Sequence, residues 1–214
     1  MERRPYIEKK SLTDDNIKNI VGEINNSQEY LPNTAGEYLR QRDSTIVLVA
    51  CYAGLRPGEA LRLRWADIDF QSNEIRINPS NNKQKNGSAA LMSTKTRDIL
   101  LSYKQFQMQF INSEWLFPSL ITLEPLTTSA IEKRLIRIMK RIGIHKILFL
   151  TKTGQPISNV TTYSFRKYFG TKFYKKTKDP YATMRALRQT KLSSIVPYVL
   201  ADKEGLLADL NTIF

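Results

Sequence analysis

Gly54-Leu55-Arg56-Pro57-Gly58-Glu59-Ala60-Leu61-Arg62-Leu63-Arg64-Trp65-Ala66-Asp67-Ile68-Asp69 decides the reading of this chain. Pro57 suits a first helical turn, where its missing N–H is not needed and its φ is already set. Arg56 therefore stands at the start of a short helix, with the Glu59 carboxylate three positions on. Leu61, Leu63 and Trp65 are expected to look inward, and Ile68 and Phe70 follow in a strand-like run. An arginine on a well-packed helix start is costly to keep unless an anion meets it. The structural alternative is an arginine paired with Glu59 or Asp67.

Around this stretch the chain reads as α+β, mainly helical, with a small antiparallel β-sheet. Upstream, Ser11-Leu12-Thr13-Asp14-Asp15 offers a cap followed by acids, and Ile17, Ile20, Val21 and Ile24 form a helical stripe. A second helix is predicted over residues 35–53, ending at Gly54. Downstream, residues 74–78 and 89–92 read as strands, with Asn86-Gly87 as a hairpin turn. A helix over 96–110 precedes Trp115-Leu116-Phe117-Pro118, and Thr128 is the expected cap of a basic amphipathic helix over 130–142. Residues 148–150 are a short apolar run. Helical segments follow near 161–176, 180–189 and 192–200, then a short amphipathic tail over 205–214.

Composition narrows the partner. Lys and Arg number 33 against 20 Asp and Glu, a formal charge of +13 over 214 residues. Such a surplus points to a polyanion, nucleic acid before an anionic membrane surface. No apolar run approaches the roughly 20 residues that span a bilayer. The basic N-terminus is not followed by an apolar signal segment, so a cytoplasmic protein is expected. One cysteine (Cys51, in an apolar run) and one histidine (His145) argue against a structural zinc site.

The C-terminal third supplies partners for Arg56. Thr162-Tyr163-Ser164-Phe165-Arg166-Lys167 puts a second arginine just inside a helix. Leu187-Arg188-Gln189-Thr190-Lys191-Leu192-Ser193-Ser194-Ile195-Val196-Pro197-Tyr198 ends in a tyrosine flanked by small and apolar residues. Two arginines can clamp one phosphate through charge-assisted hydrogen bonds, and a tyrosine beside them can attack its phosphorus.

With these residues assembled, the chain resembles the tyrosine recombinase (phage integrase) family. The run from Gly54 to Trp65 is similar to that family's first box, roughly T-G-L-R-x-x-E-L-x-x-L-x-W. Tyr163 to Arg166 resembles its H-x-L-R, and Leu187 to Tyr198 its L-G-H-x-x-x-x-T-x-x-Y. The step of nine residues from Gln189 to Tyr198 matches the family's step from its last His or Trp to the nucleophile. The resemblance covers about residues 12–200. Residues 1–11 are polar and read as a flexible segment, while the resemblance implies a catalytic domain over 12–202 and a tail over 203–214 that docks as a helix on a neighbouring protomer.

The resemblance also implies roles. Arg56 and Arg166 would hold the scissile phosphate, Tyr198 would attack it, and Glu59 would orient its neighbours. The family's hairpin lysine, which protonates the leaving 5′-oxygen, corresponds to Lys85 or to its neighbour Lys83. Strand exchange then needs neither ATP nor metal. Two departures stand out. Tyr163 occupies the position of the H-x-x-R histidine, and Gln189 that of the later His or Trp. Some integrases of archaeal viruses and plasmids stray similarly, so such an origin is expected. Lys133, Arg134, Arg137, Lys140 and Arg141 are expected to contact the backbone of double-stranded DNA, on which a tetramer would assemble. A catalytic pattern that begins at residue 12 leaves no room here for the separate N-terminal DNA-binding domain that such proteins normally carry. The alternatives are a type IB topoisomerase-like enzyme and a non-catalytic DNA-binding module with a decayed site.

Overall fold

A computed structural model describes residues 11–28, 30, 33–78, 87–151 and 153–213. The N-terminal segment expected over 1–11 falls, apart from Ser11, outside them, as do Lys83, Lys85 and Asn86. Helix α1 (Asp14–Asn26) starts where Thr13 and Asn16 exchange backbone-to-side-chain hydrogen bonds of 3.1 Å each. Its buried face is Ile17, Ile20 and Ile24. Helix α2 (Thr34–Ala53) is capped by Asn33 and is buried nearly all round from Arg42 to Ala53. It is the central rod, packing against α1, α4 (Thr94–Met108) and α6 (Tyr163–Thr177). Cys51 lies within it, fully buried, and burial pushes its thiol pKa up.

Polar groups inside this rod are paired. Arg42 and Asp43 are buried side by side at 2.9 Å. Arg42 Nη1 donates to Pro118 O at 2.8 Å, while Asp43 accepts from Tyr30 and from Arg134 of α5 (Thr128–Arg141). Removing one partner of such a buried pair typically costs about 3–5 kcal/mol, because the other charge is left uncompensated.

Strands β1 (Ile68–Asp69), β2 (Glu74–Ile77) and β3 (Ser88–Leu91) form an antiparallel sheet in the order β1-β2-β3, with Ile75 and Ala90 paired on its buried face. A second antiparallel pair joins β4 (Ile147–Leu150) to β5 (Pro156–Ser158). The sequence predicts a single sheet. All four residues of β4 are exposed, so it shows no alternation that would mark it as a strand.

Helices α7 (Pro180–Ala186), α8 (Val196–Val199) and α9 (Lys203–Ile213) complete the chain. Several predicted limits shift, among them both ends of α4, which lies two residues earlier than the expected 96–110. Thr127 rather than Thr128 caps α5, through the Ala130 N–H. α7 stops before the expected residue 189 because Arg188 adopts φ +52. The segment expected over 192–200 divides into a 3₁₀ turn at Leu192–Ser194 and α8. One continuous core runs through α1, α2, α4, α5 and the first sheet; Leu187, Ile195 and Tyr198 form a smaller cluster beneath Phe169 and Met184. Among the described residues, no helix is long and apolar enough to cross a membrane.

Candidate active site

Gly54 ends α2 with φ +59, in the left-handed region that glycine occupies freely. A β-carbon there would also lie 2.5 Å from the Phe169 ring, so the turn has room only for glycine. The chain then passes through buried Leu55 to extended Arg56 (φ −70, ψ 147), which caps α3 (Pro57–Leu61). Pro57 sits in the first turn, as read from the sequence. Glu59 closes the cap from inside. One of its oxygens accepts the Arg56 backbone N–H at 2.8 Å, and the other accepts Arg56 Nη1 at 2.5 Å. The Glu59 side chain is 1% exposed and that of Arg56 is 23% exposed, so Arg56 is the member that reaches the surface.

Arg166, in the first turns of α6, is fully buried. Its Nη1 donates to Gly54 O at 2.6 Å, its Nη2 donates to Leu187 O, and Nη1 lies 3.8 Å from Glu59 Oε2. It thereby ties the Arg56 turn, α6 and the end of α7 into one unit. Burial, then the neighbouring Arg56 charge, pulls its pKa down, while Glu59 opposes the shift.

Tyr198 is 3% exposed and lies across Gly170 of α6, with which it shares a close approach. Its phenol is surrounded by Arg166, Gln189 and Tyr163. Burial raises its pKa and Tyr163 adds to this, whereas Arg166 and hydrogen bonds with Gln189 and Arg166 oppose it. Gln189 Oε1 accepts Ser194 Oγ at 2.5 Å, which leaves the amide N–H groups as donors toward the phenol. Tyr163 is 46% exposed at the lip.

The fold therefore brings Arg56, Glu59, Tyr163, Arg166, Gln189 and Tyr198 to one place from four separate segments. Sequence reasoning missed Arg188, whose Nη2 donates to Glu59 Oε2 at 2.9 Å. Its only signal was adjacency to Gln189. Within the site, cations outnumber the one carboxylate, and a nucleophile is at hand. That arrangement can hold an anion and attack it.

On α5, Lys133, Arg137 and Lys140 are exposed. Arg134 is engaged by Asp43 and lies 5.6 Å over the Tyr30 ring, and Arg141 donates to Glu23 and Ser27 at 2.8 Å each. His145, in the turn between α5 and β4, has both ring nitrogens buried without a hydrogen-bond partner, and burial lowers its pKa. Among the described residues, no cluster of His, Cys, Asp or Glu could hold a metal.

The profile of the phage integrase family matches residues 10–204. Among solved structures, the chain is similar to XerA recombinase, with a TM-score of 0.71 and 20% identity over 98% of this chain and 66% of that one. XerH site-specific recombinase, in a post-cleavage complex with its palindromic difH substrate, gives 0.69 and 19% over 95% and 53%. A lambda integrase dimer bound to a COC′ core site gives 0.62 and 17% over 91% and 49%. The chain thus spans between about half and two thirds of the length of these proteins. No curated protein matches the sequence.

Proposed function

The chain belongs to the phage integrase family, and from that premise we propose that it is a site-specific recombinase that cuts and rejoins double-stranded DNA through Tyr198. The observation that carries this reading is the Tyr198 phenol held against Arg166 and Gln189, beside the Arg56–Glu59 pair. Arg56 and Arg166 meet the non-bridging oxygens of the scissile phosphate and the charge that develops on them. The Tyr198 phenol gives its proton to solvent water, and its oxygen attacks phosphorus. The bond from phosphorus to the 5′-oxygen breaks, and that oxygen takes a proton, a role we assign to Lys85 or Lys83. A 3′-phosphotyrosyl link and a free 5′-hydroxyl result. Attack by another strand's 5′-hydroxyl reverses the step and frees Tyr198, with the bond energy conserved in the link.

DNA as partner follows from the same reading. Exposed Lys133, Arg137 and Lys140 would track the phosphate backbone, giving affinity that falls steeply with salt. Assembly into a tetramer on DNA is the arrangement that pairwise strand exchange calls for.

Incubation with nicked suicide DNA across a panel of sites, followed by a denaturing gel, tests the proposal. We expect a covalent adduct that Tyr198→Phe abolishes. Arg56→Ala should remove it too while leaving most salt-dependent binding, which rests on the summed phosphate contacts. DNA binding without an adduct on any site would leave a binding module in place of an enzyme.

A further inference from the structure

Arg188 follows α7 with φ +52, in the left-handed region that residues with a β-carbon enter at a cost and glycine enters freely. Its side chain is 6% exposed. Nη2 reaches Glu59 Oε2 at 2.9 Å and Gly54 O at 3.5 Å, whereas Nε and Nη1 are buried without an acceptor. Burial brings its pKa down to about 10, so it stays a cation at neutral pH. A strained backbone, a buried charge and two unmet donors are separate costs carried by one residue. Glycine at this position would remove all of them.

What Arg188 gains is Glu59. Oε1 of that carboxylate takes Arg56 Nη1, and Oε2 takes the Arg56 backbone N–H and Arg188 Nη2. Three guanidiniums, with Arg166 at 3.8 Å, surround this one carboxylate. No other described carboxylate pairs with any of them. The free carboxylate would otherwise favour a two-pronged pair with a single arginine, which uses two parallel N–H donors.

We propose that Arg188 is a positioning residue of the phosphate clamp: it holds Glu59 Oε2 from the end of α7, so that Arg56 gives Glu59 only one side-chain donor. The rest of the Arg56 guanidinium then remains for the scissile phosphate. Without Arg188, Oε2 closes on Arg56 or Arg166 and consumes donors that the anion needs. This rests on the recombinase reading above.

The test uses the full chain and single-turnover cleavage of nicked suicide DNA, with DNA affinity measured in parallel. Arg188→Met should slow cleavage by about 100-fold, the scale of one group acting on transition-state charge. Affinity should stay within about twofold, because the summed phosphate contacts are untouched. Arg188→Lys should recover part of the rate by pairing with Glu59 again. The pH profile separates positioning from mere support. Burial raises the Glu59 carboxyl, and Arg188 leads the influences that lower it, ahead of Arg56. The groups facing it are Arg56 from its own turn, Arg166 from α6 and Arg188 beyond α7, with Tyr163 and Tyr198 facing Arg166. Losing Arg188 therefore raises the Glu59 pKa, and the extra loss of cleavage in acid, beyond the steady slope set by the phenol, should set in at higher pH in Arg188→Met but not in Arg188→Lys. Arg188→Gly, which relieves the backbone, carries the same comparison should Arg188→Met fail to melt cooperatively. Wild-type rates, or slower cleavage with an unmoved acid limb, would overturn the proposal while leaving the recombinase reading intact. A wild-type chain that forms no adduct overturns that reading and this proposal with it.

Discussion

In the proposed reaction Tyr198 must lose its proton to attack, and its surroundings make that harder in the free protein. Burial lifts the phenol above its ordinary value, Tyr163 adds to the lift, and Arg166 and Gln189 only partly offset it. With a reference pKa of about 10, fewer than about one phenol in a thousand is ionised at pH 7. An imidazole beside the phosphate would take that proton with a pKa near 6.5. By the resemblance, Tyr163 and Gln189 hold the positions where the family pattern has a histidine and a later His or Trp, and neither carries an imidazole. The chain's one histidine, His145, sits in the turn between α5 and β4. The sign is then fixed: the reactive form is the deprotonated one, so cleavage should rise with pH. We expect single-turnover cleavage to climb about tenfold per pH unit from about pH 6 to 9, as ionisation of a phenol lifted above its ordinary value requires. A plateau beginning near pH 7 would reveal a separate base and refute this account.

At the scale of elements, the proposed nucleophile Tyr198 is placed by how α8 lies on α6. A β-carbon on Gly170 would fall 2.6 and 2.7 Å from two ring carbons of Tyr198 and 2.9 Å from Leu187 Cδ1. Two effects oppose each other in Gly170→Ala. Alanine gains about 1 kcal/mol of helix propensity in α6. Overpacking costs about 1–3 kcal/mol unless the ring moves. Stability should therefore change by no more than about 2 kcal/mol, since the terms partly cancel. Tyr198 is the group that has to move, and displacement of about 1 Å at a reacting atom costs about 100-fold in rate. We expect a variant that melts near the wild type and binds DNA normally but forms adduct about 100-fold more slowly. Unchanged cleavage would mean that Tyr198 leaves this seat before it reacts.

The same scale shows what the sequence could and could not reveal. Caps are local chemistry, so the stretch from Ser11 to Asp15 marks the start of α1, where Thr13 is the cap, and Gly54 marks the end of α2. That Arg56, Arg166 and Tyr198 lie together is legible through the resemblance of their three boxes to one family pattern, a helix start and a fixed spacing among them. β4 is not legible, since an exposed apolar strand lacks the alternation that burial on one face imposes. Nor is Arg188: its link to Glu59 spans 129 residues and depends on a positive φ that no motif signals in an arginine. Lys83 and Lys85 remain assigned by resemblance, outside the described residues.

For the whole molecule, the decisive feature is how the chain leaves its own body. Asp202 is buried and held by Lys178, and its carbonyl and carboxylate accept the Leu206 and Gly205 N–H groups at 3.1 and 3.2 Å. Beyond that anchor, α9 exposes Leu206, Leu207 and Leu210 at 62%, 59% and 44%. Fully burying a leucine yields about 1.5–3 kcal/mol. Association costs about 4–15 kcal/mol in lost freedom. Three partly exposed leucines can therefore support only weak association in free solution. On DNA the balance changes, because two protomers on neighbouring half-sites meet at millimolar effective concentration, which favours the same contact without strengthening it. Tail docking, which the family resemblance implies for residues 203–214, thus predicts a DNA-dependent assembly. Light scattering and binding isotherms should compare the full chain with one ending at Asp202. Both should be mainly monomeric alone at micromolar concentration. On a two-site duplex the full chain should bind cooperatively and reach a higher mass, whereas the shortened chain should fill the sites independently with per-site affinity within about twofold, since its phosphate contacts are retained. Identical masses and identical isotherms with DNA would show that α9 does not join protomers, and its exposed leucines would then need another explanation.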